Sequence, residues 1–392
     1  MSDIVYSDRI PLDIWSNIFL ECLPSHDQPF VPADPLSAPL LLCQVNRAWR
    51  STALSLSSLW SSISLEVSGD DDTEGMVEGV ETWLRRSGTR PLAISLVWKA
   101  AAPRRVSLNM DPILDLVIPF IGRWETVRLD VLGPFSRGPM SNIHRLRAPL
   151  LKRCEVCFYE AEITPFLSML SSCPHLTEFV LHNDNYMRFS DIESSIPWSQ
   201  LTRFETSLFL NTHECLKMLR LCPDLVDCTF HDSTLSDAFI PKEVPIVHQR
   251  LRALTLGRCS QIDSLINYIT LPALSSLSLQ SHWWELGPLV AFLVRSGTLK
   301  TFEVHTTAVS TDQLIELLHH LPKLTELSIK GSIAYPLGDV LFESLTYDET
   351  ADHRLPLCPE LQVITLAGYI ESTEGTLAKM LRSRCHSESS RP

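Results

Sequence analysis

The chain has 392 residues, 45% of them hydrophobic and 20% charged, which is enough apolar material for a large core and too much for a disordered chain. A formal net charge of -13, with no Lys/Arg run longer than two residues, excludes a phosphate-backbone or anionic-membrane binder, so neither nucleic acid nor membrane is expected as a partner. Eleven cysteines at irregular spacing, behind an N-terminus with neither basic nor apolar leader, read as reduced thiols of a cytoplasmic or nuclear protein. No apolar run approaches the roughly 20 residues that span a membrane.

Residues 9–23 (RIPLDIWSNIFLECL) predict a helix. Pro11 suits its first turn, and Ile14, Trp15, Ile18, Phe19 and Cys22 share one stripe. The five prolines of CLPSHDQPFVPADPLSAP dictate a loop. A second helix is expected through LLLCQVNRAWRSTAL (40–54), with Leu41, Leu42, Val45 and Trp49 in register. A first strand follows in SLWSSISL, where Trp60, Ile63 and Leu65 stand at an anchor position, three after it and five after it. About forty helical residues this rich in Leu, Ile, Trp and Phe cannot bury everything among themselves, and a leftover apolar patch marks a partner site. The same segment also suits the N-terminal cap that a repeat array requires. SGDDDTEG (68–75) reads as a surface loop, PLAISLV (91–97) as a strand, and WKAAAPRRVSLNMDP after it as a loop.

From here on the chain repeats itself. CPHLTEFVL (173–181), CPDLVDCTF (222–230), LPALSSLSL (271–279), LPKLTELSI (321–329) and CPELQVITL (358–366) each place an apolar anchor two after Pro, then apolar residues three and five after the anchor. Weaker copies anchor at Trp124, Leu151, Leu201, Leu251 and Leu299, and most intervals are 23 to 27 residues. A period of this size is a repeat architecture. The alternating segments suit short strands with one buried face. Between them lie helical patterns with start signals: Ser310 and Gln313, and Asn211 and Glu214, at capping-box spacing, and Thr164 as N-cap with Pro165 in the first turn. Strand, helix and strand every 25 residues or so give parallel strand pairs with helices on one side. The predicted fold is therefore α/β, a leucine-rich-repeat solenoid with parallel strands on the concave face and helices on the convex face. The longer interval before Leu361 reads as a loop insertion with a short helix, and RSRCHSESSRP (382–392) as a frayed polar tail.

With the repeats in place, the opening becomes specific. Ile10-Pro11, Asp13, Ile14, Ile18-Phe19, Leu23-Pro24, Leu41-Leu42, Val45, Arg47, Trp49-Arg50 and Leu59-Trp60 resemble the F-box. The form is most similar to the one common in mushroom-forming fungi, with a Pro-rich insertion and degenerate leucine-rich repeats behind it. Ile-Pro replaces the usual Leu-Pro, and Asn46 stands where a Cys is common. The resemblance implies an F-box-like helical domain over 9–65 and a repeat solenoid over 66–381. It implies a non-catalytic substrate-recognition subunit of a Skp–cullin–F-box ubiquitin ligase. Ile10, Pro11, Leu12, Ile14, Trp15, Ile18, Phe19, Leu41, Leu42, Val45 and Trp49 would dock the Skp-family adaptor, and through it cullin and RING subunits. The alternative is an interaction scaffold whose F-box-like segment only caps the solenoid.

Other candidates for chemistry are weaker. Cys154-x-x-Cys157 has zinc-like spacing, but the two residues fall on opposite faces of a strand and no second pair follows. Cys173, Cys222 and Cys358 read as small buried residues at helix-to-strand turns. His182, His231 and His305 each sit six after an anchor and read as a polar rim. No nucleotide, hydrolase or metalloprotease motif occurs, so no metal, cofactor or catalytic residue is expected. Target binding is expected on the outward residues of the strands: Glu178, Arg203, Glu205, Asp227, Thr229, Thr255, Glu303 and Glu326, with Trp283 and Trp284 as an apolar anchor at the edge. This set suits a basic or hydroxyl-rich peptide surface.

Overall fold

The computed structural model describes residues 11–24, 29–68, 73–99, 111–131, 139–158, 163–183, 187–233, 235, 244–280, 284–306, 310–347 and 357–385. Two compact units are present, one of residues 1–185 with 190–197, the other of 186–189 with 198–392.

The first unit opens with helix α1 (Leu12–Glu21). Pro11 is its N-cap rather than its first helical residue, and the Pro11 carbonyl accepts the N–H groups of Ile14 (3.1 Å) and Trp15 (3.2 Å). The second expected helix is two: α2 (Leu42–Val45) and α3 (Arg47–Ser55). They part because Asn46 is extended (φ -160°, ψ 176°), and its side chain accepts the Trp49 N–H at 2.8 Å. The departure from the F-box pattern at Asn46 is thus an N-cap, the role for which Asn is among the best residues. Strand β1 (Ser62–Ser68) follows, then α4 (Thr73–Arg86), a helix that takes over the end of the acidic segment expected as loop. After it come β2 (Leu92–Lys99), α5 (Asp111–Val117), β3 (Trp124–Val131), β4 (Arg153–Phe158), α6 (Thr164–Leu170) and β5 (Glu178–Asn183). The strands pair in parallel in chain order, with Val127 beside Cys154 and Cys154 beside Phe179. Helix α6 starts one residue earlier than expected: Thr164 is already helical, and Ile163 is the N-cap with no side-chain hydrogen bond.

A short helix α7 (Phe189–Ile192) precedes β6 (Arg203–Thr206). The second unit continues with α8 (Thr212–Leu221), β7 (Asp227–His231), β8 (Ile246–Val247), β9 (Ala253–Gly257), α9 (Asp263–Ile266), β10 (Ile269–Thr270) and β11 (Ser276–Gln280). Then come α10 (Leu286–Arg295), β12 (Thr301–Thr306), α11 (Thr311–His319), β13 (Glu326–Gly331), β14 (Leu337–Gly338), α12 (Asp339–Leu345), β15 (Val363–Gly368), β16 (Ile370–Glu371) and α13 (Thr376–Cys385). The main sheet of this unit runs β6-β7-β9-β11-β12-β13-β15, with parallel pairing at each junction. Both expected capping boxes form, at Asn211–Glu214 and Ser310–Gln313. The tail expected from residue 382 begins later: Arg382–Cys385 are the last turn of α13, and the Arg384 guanidinium donates to the carbonyls of Leu345, Leu357 and Cys358.

The repeat frame fixes the core. All ten anchors, Trp124, Leu151, Leu176, Leu201, Leu225, Leu251, Leu274, Leu299, Leu324 and Leu361, are buried. So are the residues three and five after each of the first nine, from Val127 and Leu129 to Leu327 and Ile329. One of these is polar, Thr206, whose hydroxyl accepts the Leu208 N–H at 3.1 Å. Helices α8 and α11 bury Cys215, Leu216 and Leu219, and Leu314, Leu317 and Leu318. No helix among the described residues is long and apolar enough to cross a membrane.

Candidate functional site

Two surfaces gather the residues that the sequence singled out. The first is on the helical opening. Its interior is an aromatic cluster: Trp15, Phe19 and Trp49 have ring centroids 5.8, 5.0 and 5.1 Å apart. Phe19 is 0% exposed and Leu42 is also buried, so neither lies on the surface as an adaptor contact would. Trp15 and Trp49 are half-buried. By contrast, Leu12, Ile14, Ile18, Leu41 and Val45 are all exposed, with Val45 52% exposed although it sits in a helix with an apolar neighbour on each side of the bend. Ile14 and Ile18 lie one turn apart on α1 and share a face. Pro11 is exposed, and Ile10 lies outside the described residues. Five aliphatic side chains are thus left in water, three of them on α1 and two at α2, where Leu41 is the N-cap.

This unit is also tied to the first strand. The Trp60 indole N–H donates to the Ala53 carbonyl (2.8 Å) at the end of α3, and Trp60 meets Trp83 of α4 edge-on at 4.9 Å. The Arg86 guanidinium lies 4.4 Å over the Trp60 ring. Pro32 of the Pro-rich loop bridges to Ser64 of β1, through Ser64 N–H to the Val31 carbonyl (2.6 Å) and Ala33 N–H to the Ser64 carbonyl (3.2 Å). The exposed edge of β1 is thereby started on by the loop.

The second surface is the outward side of the repeat strands. In the second unit, register aligns three polar rows. One is Arg203, Asp227, Ala253, Ser276, Thr301, Glu326 and Val363, and the next is Glu205, Thr229, Thr255, Ser278, Glu303, Ser328 and Thr365. The third includes His231, Gly257, Gln280, His305 and Lys330. The expected target residues Arg203, Glu205, Asp227, Thr229, Thr255, Glu303 and Glu326 thus stand together on one face. Their charges are partly spent on one another. Arg203 lies 3.6 Å from Asp227 and 3.7 Å from Glu205, and His231 is 3.4 Å from Glu205. Ser278 donates to Glu303 at 2.9 Å, and His305 lies 3.7 Å from the same carboxylate. Burial pushes the His305 pKa down, with Lys330 adding to it and Glu303 opposing. The His231 ring lies over Gly257, where a Cβ would collide with it.

In the first unit the outward side of the strands holds Glu178 together with residues that the sequence reading passed over. Thr126, Arg153 and Glu178 form one row, and Arg128, Glu155 and Val180 the next. Arg153 lies 3.7 Å from Glu178, and Arg128 3.1 Å from Glu155, close enough to pair but not aligned as a hydrogen bond. Counting two and four past the anchors Trp124 and Leu151 finds these arginines. They make this stretch of the face mixed in charge.

Trp284 does not belong to either surface. It is 3% exposed and its indole N–H has no hydrogen-bond partner among the described residues, so it packs the repeat interior instead of anchoring a target. Trp283 lies outside the described residues. Cys154 is buried and Cys157 half-buried on the other face of β4, as the strand frame requires. No group of His, Cys, Asp and Glu that could hold a metal occurs among the described residues. Cys173, Cys222 and Cys358 are buried, and burial pushes their thiols up to about 11, 12 and 11, which keeps them protonated and unreactive.

No family model matches the chain, and no curated protein matches it. Among solved structures it is similar to an internalin from Listeria monocytogenes, at 12% identity and a TM-score of 0.34 over 92% of this chain and 95% of that one. It is similar to a chain of the yeast Rad7 and Elc1 complex, at 13% identity and a TM-score of 0.47 over 94% and 86%. It is also similar to the leucine-rich repeat-containing protein LegL7 from Legionella pneumophila, at 10% identity and a TM-score of 0.37 over 84% and 93%. The fold class is α/β of the leucine-rich-repeat type.

Proposed function

We propose that the chain is the substrate-recognition subunit of a Skp–cullin–F-box ubiquitin ligase, with residues 9–65 as the adaptor handle and 66–381 as the target-binding repeats. The observation that carries this reading is the exposed aliphatic set Leu12, Ile14, Ile18, Leu41 and Val45, set around a packed Trp15–Phe19–Trp49 interior in the segment that resembles the F-box. The protein makes and breaks no bond itself. It raises the effective concentration of target lysines beside a bound ubiquitin-conjugating enzyme, working in cytoplasm or nucleus. The strand face binds the target, and its carboxylates Glu205, Asp227, Glu303 and Glu326 outnumber Arg203 and Lys330 in the second unit, which favours a basic or hydroxyl-rich peptide. The reading as a cap alone is favoured by the Trp60–Ala53 and Pro32–Ser64 contacts, and one helical unit can serve both ends.

The test replaces Ile14 and Ile18 with Asp together. Buried hot spots of this kind are worth about 2 kcal/mol or more each, so co-purification with a Skp-family adaptor should be lost. Both side chains are exposed in the free protein, so circular dichroism and the unfolding midpoint should not move. Undiminished adaptor binding would sink the ligase reading and leave the cap.

A further inference from the structure

The last strand of the main sheet breaks the rule that the other repeats keep. Three and five after its anchor, Ile364 and Leu366 are only half-buried, although the equivalent positions in the nine preceding repeats are buried. Among the described residues, strand β15 has a neighbour on one side only, β13. Val363 and Tyr369 donate their N–H groups toward that neighbour, to the carbonyls of Thr325 (3.0 Å) and Gly331 (3.2 Å). Backbone groups alternate along a strand, so Ile364, Leu366 and Gly368 turn theirs to the other edge, where no strand pairs with β15. The devices that usually protect such an edge, a Lys, a Pro or a bulge, are missing from it. Val363, Tyr369 and Ile370 are exposed around it.

The charges say what fits. From Leu361 to Ile370 the chain carries no charged residue, and Glu360 and Glu371, both exposed, close the two ends. A second copy is a poor occupant. Antiparallel self-pairing about Thr365 sets Glu360 against Ile370 and Glu371 against Pro359, which gathers the carboxylates of both copies at each end. We propose that the open edge of β15 takes up an extended segment of another protein, apolar on alternate residues and basic at both ends, as an added strand. Backbone pairing with Ile364, Leu366 and Gly368 gives affinity, its apolar residues cover Ile364 and Leu366, and its basic ends meet Glu360 and Glu371. This site is separate from the adaptor patch and does not depend on the ligase reading.

The experiment measures fluorescence anisotropy of two short synthetic peptides against the full chain. Both alternate valine and threonine; one ends in lysines, the other in glutamates. The lysine-ended peptide should bind at least about tenfold more tightly. Leu366→Pro removes an outward N–H and leaves the bonds to β13 in place, so binding should be lost. Glu360→Lys with Glu371→Lys, a surface change that does not touch the core, should reverse the preference between the peptides. Equal affinity for the two peptides, no binding of either, or a charge swap without effect would each overturn the proposal. Concentration-dependent dimerisation of the native chain by sedimentation, abolished by Leu366→Pro, would overturn it in favour of a second copy.

Discussion

The opening helices and the repeats are made from the same aliphatic and aromatic residues, and they place them in opposite ways. Each repeat up to the one anchored at Leu324 directs its anchor and the residues three and five after it inward, all apolar except Thr206, and leaves a mostly polar row outside. The helices keep one aromatic cluster inside and leave Ile14, Ile18, Leu41 and Val45 in water. The difference lies in what each must do before any partner arrives. A repeat is buried by its neighbours, so its apolar residues are satisfied within the chain. Three short helices have too little interior for that, so their surplus stays at the surface.

The comparison breaks most visibly where an inward residue is removed. Phe302, at the third position of its repeat, is 0% exposed, and Phe302→Ala should cost about 3–5 kcal/mol in urea unfolding. Phe19→Ala should cost a similar amount but unfold the helical opening, losing helical circular dichroism and adaptor binding together. That is why Phe19 is a poor probe of the surface and Ile14 with Ile18 a good one. A Phe302→Ala protein that melts like the native one would mean that the inward positions are not a core.

A smaller effect sharpens the comparison inside the helices. Asn46 ends α2 and caps α3, which turns Leu41 and Val45 on one helix relative to Trp49 on the next. Asn46→Ala should destabilise by about 1 kcal/mol, and Asn46→Asp should restore most of it. If the cap also sets the angle of the patch, adaptor affinity falls with Ala and recovers with Asp. Equal stability of all three would show that the bend is held by packing alone.

How much of this was legible in the sequence follows from the same contrast. The repeat frame was legible residue by residue, because a period-two strand pattern recurring about every 25 residues leaves no freedom in which side chains point inward. All ten anchors are buried for that reason. Helix α4 was hidden because its N-terminus overlaps an acidic run that reads as loop. The break at Asn46 was hidden because an apolar stripe continues across it. Arg128 and Arg153 were within reach of the anchor rule; Arg128 lies in a repeat without the Pro that marks the stronger copies, whereas Arg153 lies in one that carries it, as Pro149 two before Leu151. Trp284 was misplaced because sequence spacing past a strand end does not tell a loop that folds inward from one that faces out; its burial is a tertiary fact. The patch itself was legible as a surplus, while the split between lining residues and the interior residues Phe19 and Leu42 needed the packing of α1 against α3.

The smallest effect concerns what the polar rows give up in exchange for facing outward. Asp130 lies one residue before the end of β3, on the row that holds Cys157 and His182, and its Oδ1 has no hydrogen-bond partner among the described residues. Burial raises its pKa above the ordinary 3.8, against the pull of Arg128 and a hydrogen bond from Cys157. A carboxyl whose folded pKa is raised holds its proton more tightly in the folded chain than in the unfolded one. Its contribution to stability is therefore complete below pH 3.8 and is lost as pH rises through the raised folded value, so at neutral pH ionised Asp130 opposes folding. Asp130→Asn should be slightly more stable than the native chain at pH 7 and indistinguishable from it near pH 3. Urea midpoints at the two pH values check this, and a neutral-pH loss of stability in Asp130→Asn would mean that the charge is satisfied on this face after all. Where the helices leave apolar area in water, the strands leave charge partly out of it.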